Sequence, residues 1–229
     1  QTNTGIPSII VYDAPQGSPE WLHSRAGVVT ASMFVEARKR LKTGPKKGSF
    51  SEAAESYAFR LAVERISGTP LDEGFSTWAM KRGQEREPEA RAEIEVKMGV
   101  FIDTAGFVCT DDLKFGASAD GFIDLDGGVE IKCLVDPSRI RNVILNNDIS
   151  EFMDQIQGGM WITGRKWWQF ALYCPALEPV GLHLWMKRVE RDDNYIDEME
   201  LDLLEFEKLV SQNEKALREY HSAPLKMAA

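Results

Sequence analysis

Two hydrophobic periods alternate along this chain. After Ser51 the apolar positions Ala54, Tyr57, Ala58, Leu61, Ala62 and Ile66 recur at three- and four-residue spacing, and Gly68 with Pro70 stops them, which predicts a helix over 51–68. A second helical stretch covers about 78–98, with Gly99 at its end, and Thr30, Ala31 and Ser32 open a shorter one that Thr30 or Ser32 would cap. The period then drops to two. Residues 101–109, 115–118, 122–125 and 129–133 read as strands, with Asp126-Gly127-Gly128 as the hairpin turn between the last two. After a loop, helical spacing returns over 150–163, 167–173 and 181–189 read as strands, and 196–220 as a long amphipathic helix. Residues 1–19, punctuated by Pro7, Pro15 and Pro19 around an apolar run at 9–12, read as an arm. Helices, a mostly antiparallel sheet and a mixed edge covered by helices predict an α/β or α+β fold.

Composition narrows this little. The chain has 229 residues, 43% of them hydrophobic and 28% charged, without internal repeats or long linkers, and it reads as one domain over 1–229. No stretch approaches the roughly 18 to 20 uncharged apolar residues of a membrane span, and the first thirty residues carry no basic-then-apolar signal, so a soluble cytoplasmic protein is expected. The chain begins at Gln1 rather than Met, and no expectation depends on that. Cys109, Cys133 and Cys174 lack C-x-x-C spacing, and the three histidines form no metal-ligand pattern, which argues against a disulfide framework and a structural zinc site.

Charge changes the picture more. A net charge of -9 argues against a polyanionic partner, but residues 38–47 read RKRLKTGPKK, six positive charges and no acid, leaving -15 on the remainder. A basic strip on an acidic body suits an enzyme that grips a polyanion in one channel and repels it elsewhere.

The candidate chemistry lies in SADGFIDLDGGVEIKC, residues 118–133. Strand alternation puts Val129, Ile131 and Cys133 on a core face and projects Glu130 and Lys132 together from the other, about 6.5 to 7 Å apart. The hairpin brings Asp120 within reach of the same patch. Two carboxylates and an ammonium suit metal-assisted phosphodiester hydrolysis, because Mg²⁺ prefers hard oxygen ligands and a lysine beside it can orient or deprotonate water. The same D-x9-E-x-K pattern also fits a surface strand with alternating Glu and Lys. Three further motifs bear on the choice. Glu87 lies in G-x-x-x-E-P on the second helix, where a solvated helix start is the plain alternative. Gln155 follows on the 150–163 helix. Trp21, Arg25, Thr30 and Ser32 form W-x-x-x-R-x-x-x-x-T-x-S, a set suited to a phosphate monoester or to a tryptophan anchor with a helix cap.

Taken in order, WLHSRAGVVTAS, RGQEREPEAR, ASADGF, GVEIKC, DQIQGGMWITG and LHLWMKRVERDDNY resemble the phage lambda exonuclease family, the viral recombinase branch of the PD-(D/E)XK nucleases. The resemblance implies a restriction-endonuclease-like core, a central mixed β-sheet flanked by helices. It assigns Asp120, Glu130 and the Ile131 carbonyl to the metal, and makes Lys132, Glu87 and Gln155 catalytic.

 The implied cofactor is Mg²⁺, two ions per site, with Mn²⁺ as a substitute. Arg25, Thr30, Ser32 and Ser118 fall where the family binds a 5′-terminal phosphate, and Met80 where an apolar wedge splits the terminal base pairs. The implied activity is 5′-to-3′ exonuclease digestion of one strand of linear double-stranded DNA from a 5′-phosphorylated end, leaving 3′ overhangs for phage-type recombination. A homotrimer ring around the DNA, a single-strand annealing protein as partner and a phage or prophage origin are implied with it. The chain departs from the family at Ala119 and Leu134, where the pattern has proline. A restriction-type or structure-specific endonuclease and a non-catalytic DNA-binding module of the same fold are the alternatives, and the four-cysteine cluster of the iron-sulfur nucleases has no counterpart.

Overall fold

The computed structural model describes residues 8–71 and 78–220, with side chains except those of 78–82 and 84. The chain runs β1 (Ile9–Tyr12), α1 (Pro19–Ser24), β2 (Val29–Thr30), α2 (Phe34–Ala37), α3 (Glu52–Ser67) and α4 (Trp78–Met98). It continues through β3 (Phe107–Thr110), β4 (Phe115–Ser118), β5 (Gly121–Ile123), β6 (Gly127–Lys132), α5 (Pro137–Asn146) and α6 (Met153–Thr163). It closes with β7 (Trp167–Tyr173), β8 (Leu184–Glu190) and α7 (Asp193–Glu219). The expected α/β architecture is present, and the mixed β core is divided. Among the described residues one sheet has the order β1-β3-β4-β2 and the other β5-β6-β7-β8. The division falls at Ala119 and Asp120, between the end of β4 and the start of β5. No helix among the described residues is long and apolar enough to cross a membrane.

The helix ends follow local chemistry. Ser51 accepts from the Ala54 amide at 3.1 Å to start α3, and Gly68 in the left-handed region ends it. The expected cap at Thr30 or Ser32 is absent: Thr30 makes no capping bond, and a 3₁₀ turn at Ala31–Met33 leads into α2. Helix α5 falls where a loop was expected. Asp136 caps it, Pro137 occupies its first position, and Ile140, Val143 and Ile144 turn one apolar stripe to the core. The proposed arm contributes β1, an edge strand paired antiparallel with β3.

Two strand boundaries also move. Of the 101–109 stretch only 107–109 is strand, β3 running on to Thr110, and Asp103 makes an isolated bridge to Phe122. The β5–β6 turn is Asp124-Leu125-Asp126, because Ile123 pairs with Gly127 and Asp124 takes the left-handed conformation. Gly127 and Gly128 are strand residues rather than turn residues. The rings of Trp167 and Trp168 lie so close that an added Cβ would come within 2.3 Å of them.

Strand β6 is the centre of the second sheet, antiparallel to β5 and parallel to β7. Val129 and Ile131 pack with Ala90 and Ile94 of α4, as alternation requires. The opposite face is covered as well, by Ile156 and Met160 of α6 packed with Trp168 and Phe170. A third cluster joins the first sheet to α2, α3, α6 and α7. The charged residues of β6 therefore lie between the sheet and a helix.

Candidate active site

Glu130 is 3% exposed and Asp120 9%, so the D-x9-E-x-K residues are an interior site and not a surface stripe. Asp120 occupies the link between the two sheets. Its amide donates to the Val129 carbonyl at 3.0 Å, and its Oδ2 accepts from the Ile131 amide at 2.6 Å. The carboxylate thus takes the place of the next ladder partner along β6. A strand residue turns its N–H and C=O toward the same neighbour, so the Ile131 carbonyl faces the Asp120 side.

Lys132, Glu130 and Gln155 close a triangle. Lys132 Nζ lies 2.7 Å from Glu130 Oε1 and donates to Gln155 Oε1 at 2.9 Å, while Gln155 Nε2 donates to Glu130 Oε1 at 2.7 Å. Gln155 is placed by α6, whose preceding residue Asp154 is held by Arg38 Nη1 and by the Tyr195 hydroxyl, each at 2.5 Å. Asp154 and Gln155 of α6 thus brace the site.

The electrostatics show a shortage of positive charge. Burial, Glu130 and Glu87 push the Asp120 carboxyl well above the usual range, against the opposing pull of Lys132 and the Ile131 amide. Burial also raises Glu130, although Lys132 pulls it down. For Lys132, burial favours the neutral amine, but Glu130 and Asp120 outweigh it and raise the ammonium above its usual range. Two buried carboxylates that repel one another and share one lysine fit a divalent cation. Among the described residues no group of three His, Cys, Asp or Glu side chains forms a complete cage. The donor set is two carboxylates and the Ile131 carbonyl, which suits Mg²⁺ because that ion keeps water and substrate oxygens in its remaining places.

Glu87 is near this centre but turned aside, with Oε1 accepting from Arg91 Nη2 at 3.0 Å. Met80 belongs to the first turn of α4, and its side chain lies outside the described residues.

Arg25, Thr30 and Ser32 line one pocket of about 310 Å³, together with Trp21, Tyr57 and Arg60. The Arg25 guanidinium stacks 3.9 Å over the Trp21 ring, and burial lowers it to about 10. Thr30 Oγ1 and Ser32 Oγ are 3.4 Å apart, and the Tyr57 hydroxyl accepts from the Thr30 amide at 3.3 Å. Ser118 is turned toward Trp21, accepting from its Nε1 at 3.1 Å. Since Ser118 precedes Asp120 by two residues, the pocket and the carboxylates are joined by one short segment. Tyr57 and Arg60 were not recognised in the sequence, where Tyr57 was counted as core. Their i,i+3 spacing on α3 was the available signal.

The basic strip 38–47 is partly absorbed by the fold. Arg38 pairs with Asp154 and Asp202, Arg40 pairs with Glu205 and stacks 3.6 Å over Phe50, and Lys39 approaches Glu36 at 3.7 Å. The strip's exposed charges are those of Lys39 and, in the loop, Lys42, Lys46 and Lys47.

Residues 20–166 match the family described as the YqaJ-like viral recombinase domain. An uncharacterized protein of Escherichia coli (strain K12), ExoD, is 37% identical over 59 residues, covering 24% of this chain and 66% of ExoD. The alkaline exonuclease LHK-Exo of Laribacter hongkongensis, solved in complex with dAMP, superposes with a TM-score of 0.77 at 29% identity, over 90% of this chain and 98% of that one. A phage-related exonuclease from Haemophilus somnus 129PT shares the fold, with a TM-score of 0.63 at 16% identity over 83% of this chain and 96% of that one. These relationships support a nuclease role and, with the buried carboxylates, the use of a divalent metal. The chain belongs to the YqaJ-like viral recombinase domain family.

Proposed function

We propose that this protein is a Mg²⁺-dependent exonuclease that degrades one strand of linear double-stranded DNA in the 5′-to-3′ direction from a 5′-phosphorylated end. The observation that carries this reading is the short link from Ser118 to Asp120, which joins a pocket containing Arg25 to two buried carboxylates and a lysine.

Asp120, Glu130 and the Ile131 carbonyl would hold the metal, which when bound supplies a Lewis acid for the phosphoryl oxygen and lowers the pKa of water. Lys132 is held as an ammonium, so it donates to water or to the charge that grows on the phosphate. Gln155 ties Lys132 to Glu130 and keeps both chains in register with the substrate. Glu87 orients the attacking water from α4. The Arg25 guanidinium is desolvated by burial, with Glu64 the carboxylate whose charge acts on it, and it gains from a terminal phosphate. Thr30 and Ser32 add neutral hydrogen bonds. Binding the terminal group sets the first internucleotide linkage against the metal site. Ser118 supports the pocket through Trp21, and Met80 is the proposed wedge between terminal base pairs.

A ring of three copies around the duplex, with a single-strand annealing protein as partner, completes the proposal and explains how an acidic chain stays on DNA. The deciding experiment compares linear duplex with 5′-phosphate, linear duplex with 5′-hydroxyl, and closed circular duplex, each with Mg²⁺ or chelator. Digestion confined to linear DNA, faster with the 5′-phosphate and stopped by chelator, is expected. Cutting of closed circles would turn the reading to an endonuclease, and no metal-dependent cutting at all would leave a DNA-binding module.

A further inference from the structure

Arg91 is built into the centre without a part in the chemistry above. It stands one turn after Glu87 on α4, and its Nη2 donates both to Glu87 Oε1 at 3.0 Å and to the Asp120 main-chain oxygen. One nitrogen therefore connects the helix glutamate to the backbone of the residue whose carboxylate anchors the site. Among the described residues the other terminal nitrogen, Nη1, is buried without a hydrogen-bond partner. That is an expensive state for a cation, and an ordinary i,i+4 pair on a helix surface needs none of it. Room for the guanidinium comes from Gly121, where a Cβ would stand 3.2 Å from Nη1 and 2.2 Å from Ile102 Cγ2. Unsatisfied buried polar groups of this kind concentrate at functional sites.

We propose that Arg91 is a positioning residue that tethers Glu87 at the rim of the two-carboxylate centre, so that Glu87 acts on water and stays out of the metal's coordination. This rests on the nuclease reading of the same site. Two carboxylates leave coordination places for water and a phosphate oxygen, whereas a third would fill one of them. Glu87 is close enough for its charge to act on Asp120. Released from Arg91, it would be drawn toward a bound cation, giving a site that holds metal more tightly and works more slowly.

The test is a double-mutant cycle on the full chain, with Mn²⁺ binding read by calorimetry in wild type, Arg91→Ala, Glu87→Gln and the double variant. Arg91→Ala is expected to tighten Mn²⁺ roughly threefold or more, and the same change in the Glu87→Gln background to alter it less than about twofold. On linear 5′-phosphorylated duplex, Arg91→Ala should lower kcat about tenfold or more with little change in KM, and Arg91→Lys should recover part of it. Equal tightening in both backgrounds would mean that only a charge was lost and would overturn the proposal. Weaker Mn²⁺ binding with a matching fall in Tm would overturn it too, by making Arg91 a prop for the Asp120 backbone. If wild type cuts no DNA, the nuclease reading fails, and the Mn²⁺ cycle still decides the tether.

Discussion

The Glu130–Lys132 strand and the basic strip at 38–47 are both dense in charge, and folding treats them in opposite ways. In the strip, Arg38 meets two acids and Arg40 a third, so part of its charge is spent within the fold. On β6 the balance is reversed, because Asp120 and Glu130 share Lys132 and both carboxyls are raised by burial. Charges supplied with counter-charges brace helices against one another. Buried charges short of them retain an affinity for a cation, and the contrast separates scaffold from chemistry better than charge density does.

The largest expected effect breaks the under-compensated side. Lys132→Ala should lower kcat by about 10²-fold or more while DNA affinity, measured by anisotropy, stays near wild type. Activity close to wild type would remove Lys132 from the mechanism. Asp120→Ala and Glu130→Ala should each cost a similar amount, and the double variant little more than either, since each removes a ligand of one shared site. Single-turnover rates that multiply instead would show two independent sites.

A smaller effect is expected at the pocket. Arg25→Ala should slow digestion of 5′-phosphorylated duplex about tenfold more than digestion of 5′-hydroxyl duplex, because one charge-assisted contact to a terminal phosphate is lost. Equal slowing of both, rescued by low salt, would point to general phosphate contact instead.

On the compensated side the consequence is stability. Arg38→Ala should lower unfolding free energy by about 2 to 3 kcal/mol in denaturant titrations, since it leaves the buried Asp154 short of a partner. Replacing Lys42, Lys46 and Lys47 by alanine should leave stability within about 0.5 kcal/mol, as exposed positions do. If those exchanges reversed, with the loop lysines stabilising and Arg38 neutral, the division between the two halves of the strip would fail.

Much of the site was legible because it depends on short-range order. Strand alternation places Glu130 and Lys132 on one face whatever surrounds the strand, and the hairpin keeps Asp120 beside them even though the turn begins two residues earlier than Asp126-Gly127-Gly128 suggested. Gln155 was less legible, since its contact with Lys132 joins residues 23 apart. Helix α5 was missed despite its Asp136-Pro137 start, because its short apolar stripe is interrupted by polar residues that only the packed core distinguishes.

The sequence by itself determined the helical and strand periods, the limits of α3 at Ser51 and Gly68, and the order of the motifs, because each depends on neighbours within a few residues. Tertiary structure decided which charges are compensated. It brought Asp154 and Asp202 to Arg38, buried Glu130 under α6, turned Glu87 toward Arg91 and gathered Tyr57 and Arg60 around Arg25. Burial and counter-charge are properties of the assembled interior, where the dielectric falls and every neighbour counts, and no window along the chain contains them.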